Sequence, residues 1–84
     1  MLFRSNTASG LGSVVVGGGD GTNTYANSAS NTGSFVGGGI NNTVTGLYGT
    51  VVSGALNSSS NQYGFVGGGY QNAASGDFST VCGG

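Results

Sequence analysis

Eighty-four residues allow one small domain at most, and a chain of that size seldom draws more than about 3–5 kcal/mol from a single core. With 20 glycines, no proline, and Ser, Thr, Asn and Ala making up most of the rest, there is little apolar area to bury, so a continuous backbone ladder or burial against other chains must contribute. The only charges are Arg4, Asp20 and Asp77, which excludes the basic surface that nucleic acid or an anionic membrane needs and weakens the case for a disordered, highly charged coil.

Met1 to Ser5 holds the single basic residue and stands outside the pattern that follows, so it reads as an N-terminal cap or a junction with preceding sequence. From Asn6 to Gly84 the chain is one unit written again and again. Val36, Val51, Val66 and Val81 recur at intervals of 15 residues, as do Asn27, Asn42, Asn57 and Asn72. A fixed period of this size predicts one structural unit stacked on copies of itself: an all-β, parallel β-solenoid (β-roll) of about five turns, residues 6–84, each rising about 4.8 Å as neighbouring strands do.

Each unit opens on a short polar segment led by Asn6, Asn27, Asn42, Asn57 or Asn72. Side-chain amides repeating at one position predict a ladder, each bonding the next turn and the adjoining backbone, in preference to a row of ligand-binding groups. Four residues on, the sequence holds only glycine or asparagine: Gly10, Asn31, Gly46, Asn61 and Gly76. Those two residues best tolerate a left-handed backbone, so these positions are expected to be corners with positive φ.

The second half of the unit is a strand whose alternate residues point to opposite faces. One face reads small, Val, small in every copy, so Val15, Val36, Val51, Val66 and Val81 are the predicted core column, opposed by Ala29, Val44, Ser59 and Ala74. The other face is larger and more aromatic, and Phe35, Tyr48, Tyr63, Phe65 and Phe78 on it are candidate contacts for neighbouring chains. Between Val15 and Val36 the step is 21 residues, which predicts a surface loop over about Gly19 to Ala26, with Asp20 and Tyr25 its least constrained side chains.

Units such as Asn72 Ala73 Ala74 Ser75 Gly76 Asp77 Phe78 Ser79 Thr80 Val81 resemble the head repeats of YadA-like trimeric autotransporter adhesins, and the Val-Gly-Gly-Gly form resembles repeat tracts of bacterial and phage tail-fibre-like proteins. The resemblance runs from Asn6 to Gly84. It implies a left-handed roll with one repeat per turn and three chains side by side. The adhesin repeat is about a residue shorter with a bulkier apolar pair in its strand, and no coiled-coil stalk or membrane anchor follows Gly84 here.

Chemistry is sparse. With no histidine, one cysteine and two distant aspartates there is no zinc set, catalytic dyad or triad, so no enzyme, cofactor or metal is expected. The glycine runs lack the spacing and the lysine of phosphate-binding loops, and the segment from Gly17 to Gly21 lacks the recurrent Asp of a calcium roll. Ice binding ranks low because the outer strand position, Val14, Phe35, Thr50, Phe65 and Thr80, is no continuous Thr file. Cys82 has no internal partner, and Asn41 and Asn57 fall in glycosylation sequons. The longest apolar run, Val14 to Val16, is far short of a membrane span.

The expected function is therefore a structural, self-assembling fibre or adhesin-like segment at a cell or virion surface. Its partners would be copies of itself, as a trimer, an end-to-end filament or both, since Gly84 falls part-way through a unit that another copy's N-terminus could complete. The alternative is a module that binds a receptor or glycan through the 19–26 loop or the aromatic face.

Overall fold

The computed structural model describes residues 6–18 and 26–84, and all of its regular structure is β. The expected cap at residues 1–5 and residues 19–25 of the expected loop, Asp20 and Tyr25 among them, lie outside the described residues, and Ala26 at the end of that loop is half-buried. Each turn contributes two strands of two residues: β1 (Thr7–Ala8) and β2 (Val14–Val15), β3 (Ser28–Ala29) and β4 (Phe35–Val36), β5 (Thr43–Val44) and β6 (Thr50–Val51), β7 (Ser58–Ser59) and β8 (Phe65–Val66), β9 (Ala73–Ala74) and β10 (Thr80–Val81). The odd-numbered strands form one parallel sheet and the even-numbered strands a second, each in order along the stack. Isolated parallel bridges from Ile40 to Ala55 and from Ala55 to Tyr70 add a third line of contact between turns. The chain is a β-solenoid, as its period requires.

Register follows the repeat residue for residue. Val15 pairs with Val36, Val36 with Val51, Val51 with Val66 and Val66 with Val81. Val36, Val51 and Val66 are fully buried, and Val15 and Val81 in the outermost turns are half-buried against them. Facing them from the other sheet are Ala29, Val44, Ser59 and Ala74, which complete the interior as the alternation of small and branched residues predicts. The longer step between the first two turns disturbs neither sheet: Ala8 still pairs with Ala29 and Val15 with Val36.

The interior holds its volume constant by exchange between two positions. Where the residue before the outer strand is Ser13, Ser34 or Ser79, the one across from it is Ala8, Ala29 or Ala74; where it is Gly49 or Gly64, the opposite residue grows to Val44 or Ser59. The reason is contact. A Cβ on Gly49 would lie 2.7 Å from Val44 Cγ1 and 2.9 Å from Ser59 Oγ, too close for a core at solid-like density. Ser59 Oγ lies buried in that space with no hydrogen-bond partner among the protein's atoms, a cost the fold carries there.

The corner departs from expectation. Gly10, Asn31, Gly46, Asn61 and Gly76 do not have positive φ; they accept the closing bond of a four-residue turn, as in Ser13 N–H to Gly10 O (3.0 Å), Ser34 N–H to Asn31 O (3.2 Å) and Gly49 N–H to Gly46 O (3.2 Å). The left-handed residue is the third of that turn: Gly12 and Gly33 in the first two turns, then Tyr48, Tyr63 and Phe78 with φ of 55°, 59° and 59°. What selects glycine at Gly10 and Gly46 is close approach, because a side chain on either would run into the backbone carbonyl of Asn31 or Asn61 in the next turn. Where Asn stands instead, its amide bridges turns, Asn31 Nδ2 donating to Thr45 O (3.0 Å) and Asn61 Nδ2 to Asp77 Oδ1 (3.2 Å).

Candidate functional site

Asparagine side chains form the longest continuous polar structure in the protein. The backbone N–H of Asn27 donates to Asn6 Oδ1 (2.8 Å), that of Asn42 to Asn27 Oδ1 (2.9 Å), that of Asn57 to Asn42 Oδ1 (3.0 Å) and that of Asn72 to Asn57 Oδ1 (2.9 Å). From Asn27 on, each Nδ2 also donates to two carbonyls: Asn42 to Gly38 O and Gly54 O, both at 2.8 Å, and Asn57 to Ser53 O (3.0 Å) and Gly69 O (2.9 Å). Asn27, Asn42 and Asn57 are buried, with both ends of their amides engaged. Their capacity is spent on the fold, so the row is a structural ladder. The same burial removes Asn57 from reach of a glycosylating enzyme in the folded chain, since its sequon nitrogen is tied to two carbonyls.

The ladder dictates the glycines beside it. Gly39, Gly54 and Gly69 have φ of 90°, 98° and 94°, and a Cβ on Gly54 would come within 2.7 Å of Asn57 Nδ2 while striking the carbonyl of Gly69. Only glycine supplies both the left-handed backbone and the clearance for the amide. The runs from Gly37 to Gly39 and from Gly67 to Gly69 are therefore part of the hydrogen-bonding scheme.

The candidate interface residues divide into two groups. Tyr48, Tyr63 and Phe78 lie in the turns, where their rings stack along the axis with centroids 5.6 Å and 5.1 Å apart and planes inclined by 21° and 5°. The Tyr48 ring reaches down over Gly33, which has no side chain to meet it. Phe35 and Phe65 instead point outward from β4 and β8, in line with Val14, Thr50 and Thr80. On that face bulk alternates: a Phe in one turn is followed two residues on by Gly37 or Gly67, whereas Thr50 is followed by Val52. The Phe35 ring lies over Gly37, its Cε1 3.3 Å from where a Cβ would stand.

The exposed large apolar residues are distributed unevenly. Of the eleven among the described residues, Val14, Val16, Val52 and Phe65 lie in or directly after the even-numbered strands, Leu11, Tyr48, Tyr63 and Phe78 in the turns before them, and Ile40, Leu56 and Tyr70 on or beside the third line of bridges. None is on the outer face of the odd-numbered sheet. That face carries two files: Thr7, Ser28, Thr43 and Ser58, ending in Ala73, and beside it Ser9, Ser30, Thr45, Ser60 and Ser75. The second file is exposed throughout, and of its hydroxyls Ser30 Oγ turns back to the backbone, at 3.4 Å from Val44 O. Sequence reasoning missed this face although its signal is there: every Asn-led segment alternates a hydroxyl or Ala, an interior residue and a hydroxyl.

Charge is nearly absent from both faces. Asp77, in the last turn, is the one ionisable acid or base of the usual charged types among the described residues, and no three His, Cys, Asp or Glu side chains gather there. Cys82 is exposed, in line with Val52 and Gly67 on the apolar side. No protein-family model, curated protein or solved structure matches this chain.

Proposed function

We propose that this chain is a structural, non-catalytic segment of a self-assembling fibre or adhesin-like shaft on a cell or virion surface, in which copies pack side by side through the aromatic, even-numbered face. One observation carries the reading: none of the eleven exposed large apolar residues among the described residues lies on the outer face of the odd-numbered sheet, so they gather on the rest of the surface and leave a hydroxyl face opposite. Exposed apolar side chains gathered in this way are what neighbouring copies cover. Three chains around a common axis, as the resemblance to adhesin heads implies, would bury the Phe35 and Phe65 file while the hydroxyl faces pointed outward. Extension along the axis is compatible with the same scheme, since a further turn would continue both parallel sheets in the order they already run.

The test is light scattering coupled to size-exclusion chromatography, with negative-stain microscopy, on the purified chain and on Phe65→Lys. The expected result is an oligomer or fibre for the parent chain. A charge at Phe65 should return it to the monomer with its β spectrum intact. A parent chain that is monomeric at high concentration sinks the proposal.

A further inference from the structure

We infer that the outer face of the odd-numbered sheet is an ice-binding surface. The argument starts from periodicity. In-register parallel strands place equivalent hydroxyls about 4.8 Å apart along the stack, and residues two apart in a strand sit about 6.7 Å apart across it. From Thr7 to Ser60 the two files therefore form a rectangular net of hydroxyls, which Ala73 interrupts in the last turn, with repeats close to those of the oxygen rows on a prism face of ice. Pairing of Ser28 with Thr43 and of Thr43 with Ser58 keeps the net in register from turn to turn.

The chemistry of the face agrees with that occupant. A Ser or Thr hydroxyl offers one donor and two acceptor sites, so it can take the place of a lattice water, and Thr adds a methyl group that confines the water beside it. No charge interrupts the net, and a charge would hold its own hydration shell against the lattice. The face also lacks what anchors a protein partner, namely Trp, Tyr, Arg or a large aliphatic side chain, none of which stands at the described outward positions of the odd-numbered sheet. Nor does it offer the aromatic platform on which a sugar ring stacks. The outer position of the even-numbered strands, where a Thr file was sought first, alternates Phe and Thr and is the wrong side of the molecule.

The experiment compares ice-crystal shaping and inhibition of ice recrystallisation by the parent chain, by Thr45→Lys and Ser60→Lys on the hydroxyl face, and by Gln62→Lys, an exposed position in the turn between β7 and β8. Circular dichroism is recorded for each. The expected result is faceted crystals and inhibited recrystallisation for the parent and Gln62→Lys, loss of both for the two hydroxyl-face variants, and a gain for Ser28→Thr combined with Ser58→Thr. A folded parent chain in whose presence ice grows as unmodified discs overturns the inference, and so does equal loss from all three lysine substitutions. Because Thr45 and Ser60 are exposed, a variant that failed to fold would be replaced by Ser75→Lys, read in the same way.

Discussion

Tyr63 shows how a single residue carries opposing terms. Its φ of 59° costs a non-glycine residue about 1 kcal/mol or more. Against that stand its N–H bond to Leu47 O (2.8 Å) and ring contacts with Tyr48 and Phe78 on either side. Tyr63→Ala keeps the strain and loses the stack, so it is expected to destabilise by about 2 kcal/mol, whereas Tyr63→Gly relieves the strain and should cost less. Thermal unfolding of the two variants checks the order; Gly proving the worse would mean that the backbone there is not strained. Gly49 poses the complementary test. Gly49→Ser crowds Val44 and is expected to cost about 1–3 kcal/mol, while adding Val44→Ala rebuilds the Ala and Ser pairing of the second turn and should recover about 1 kcal/mol or more. Additive losses in a denaturant titration would show that the two positions do not trade volume.

At the scale of elements, two-residue strands cannot hold a sheet by side-chain contact alone, and the asparagine ladder supplies the rest. Asn57→Ala would leave the Asn72 N–H and the carbonyl of Ser53 without that partner and take one of two donors from Gly69 O, which keeps the Ala55 N–H. A loss of about 2 kcal/mol is expected, within the range of about 1–3 kcal/mol for a buried group left unpaired, measured by chemical denaturation. Most of this element was legible in the sequence, because Val and Asn recurring every 15 residues fix the register, and the register fixes what bonds to what. The corner was less so. Gly and Asn at Gly10, Asn31 and Gly46 suggested a left-handed backbone by composition, yet that conformation fell two residues later, where the sequence has Tyr and Phe. Propensity could not announce it, since a stack that exists only after the turns are superposed offsets the local cost. The hydroxyl face was written just as plainly as the core column, but the longer apolar segment drew attention to the other sheet.

For the whole molecule, the step of 21 residues between the first two valines is the informative irregularity. The Asn27 N–H still reaches Asn6 Oδ1, and β2 still pairs with β4, so the longer step does not alter the register of the turns on either side of it. A flexible insert of about ten residues placed after Gly18 should therefore lower the melting temperature by only a few degrees, since lengthening a loop costs little entropy. Differential scanning calorimetry measures this, and collapse of the transition would mean that the excursion is itself part of the core.

The amide ladder also has a sense of direction. At every step the later turn gives the proton and the earlier turn takes it, from Asn27 on Asn6 through to Asn72 on Asn57. The stack is thus a vector, its ladder oxygens turned towards the later turns and its ladder N–H groups towards the earlier ones. Copies threaded along a common line would all face the same way, and a fibre built from them would have a fast-growing tip and a slow one.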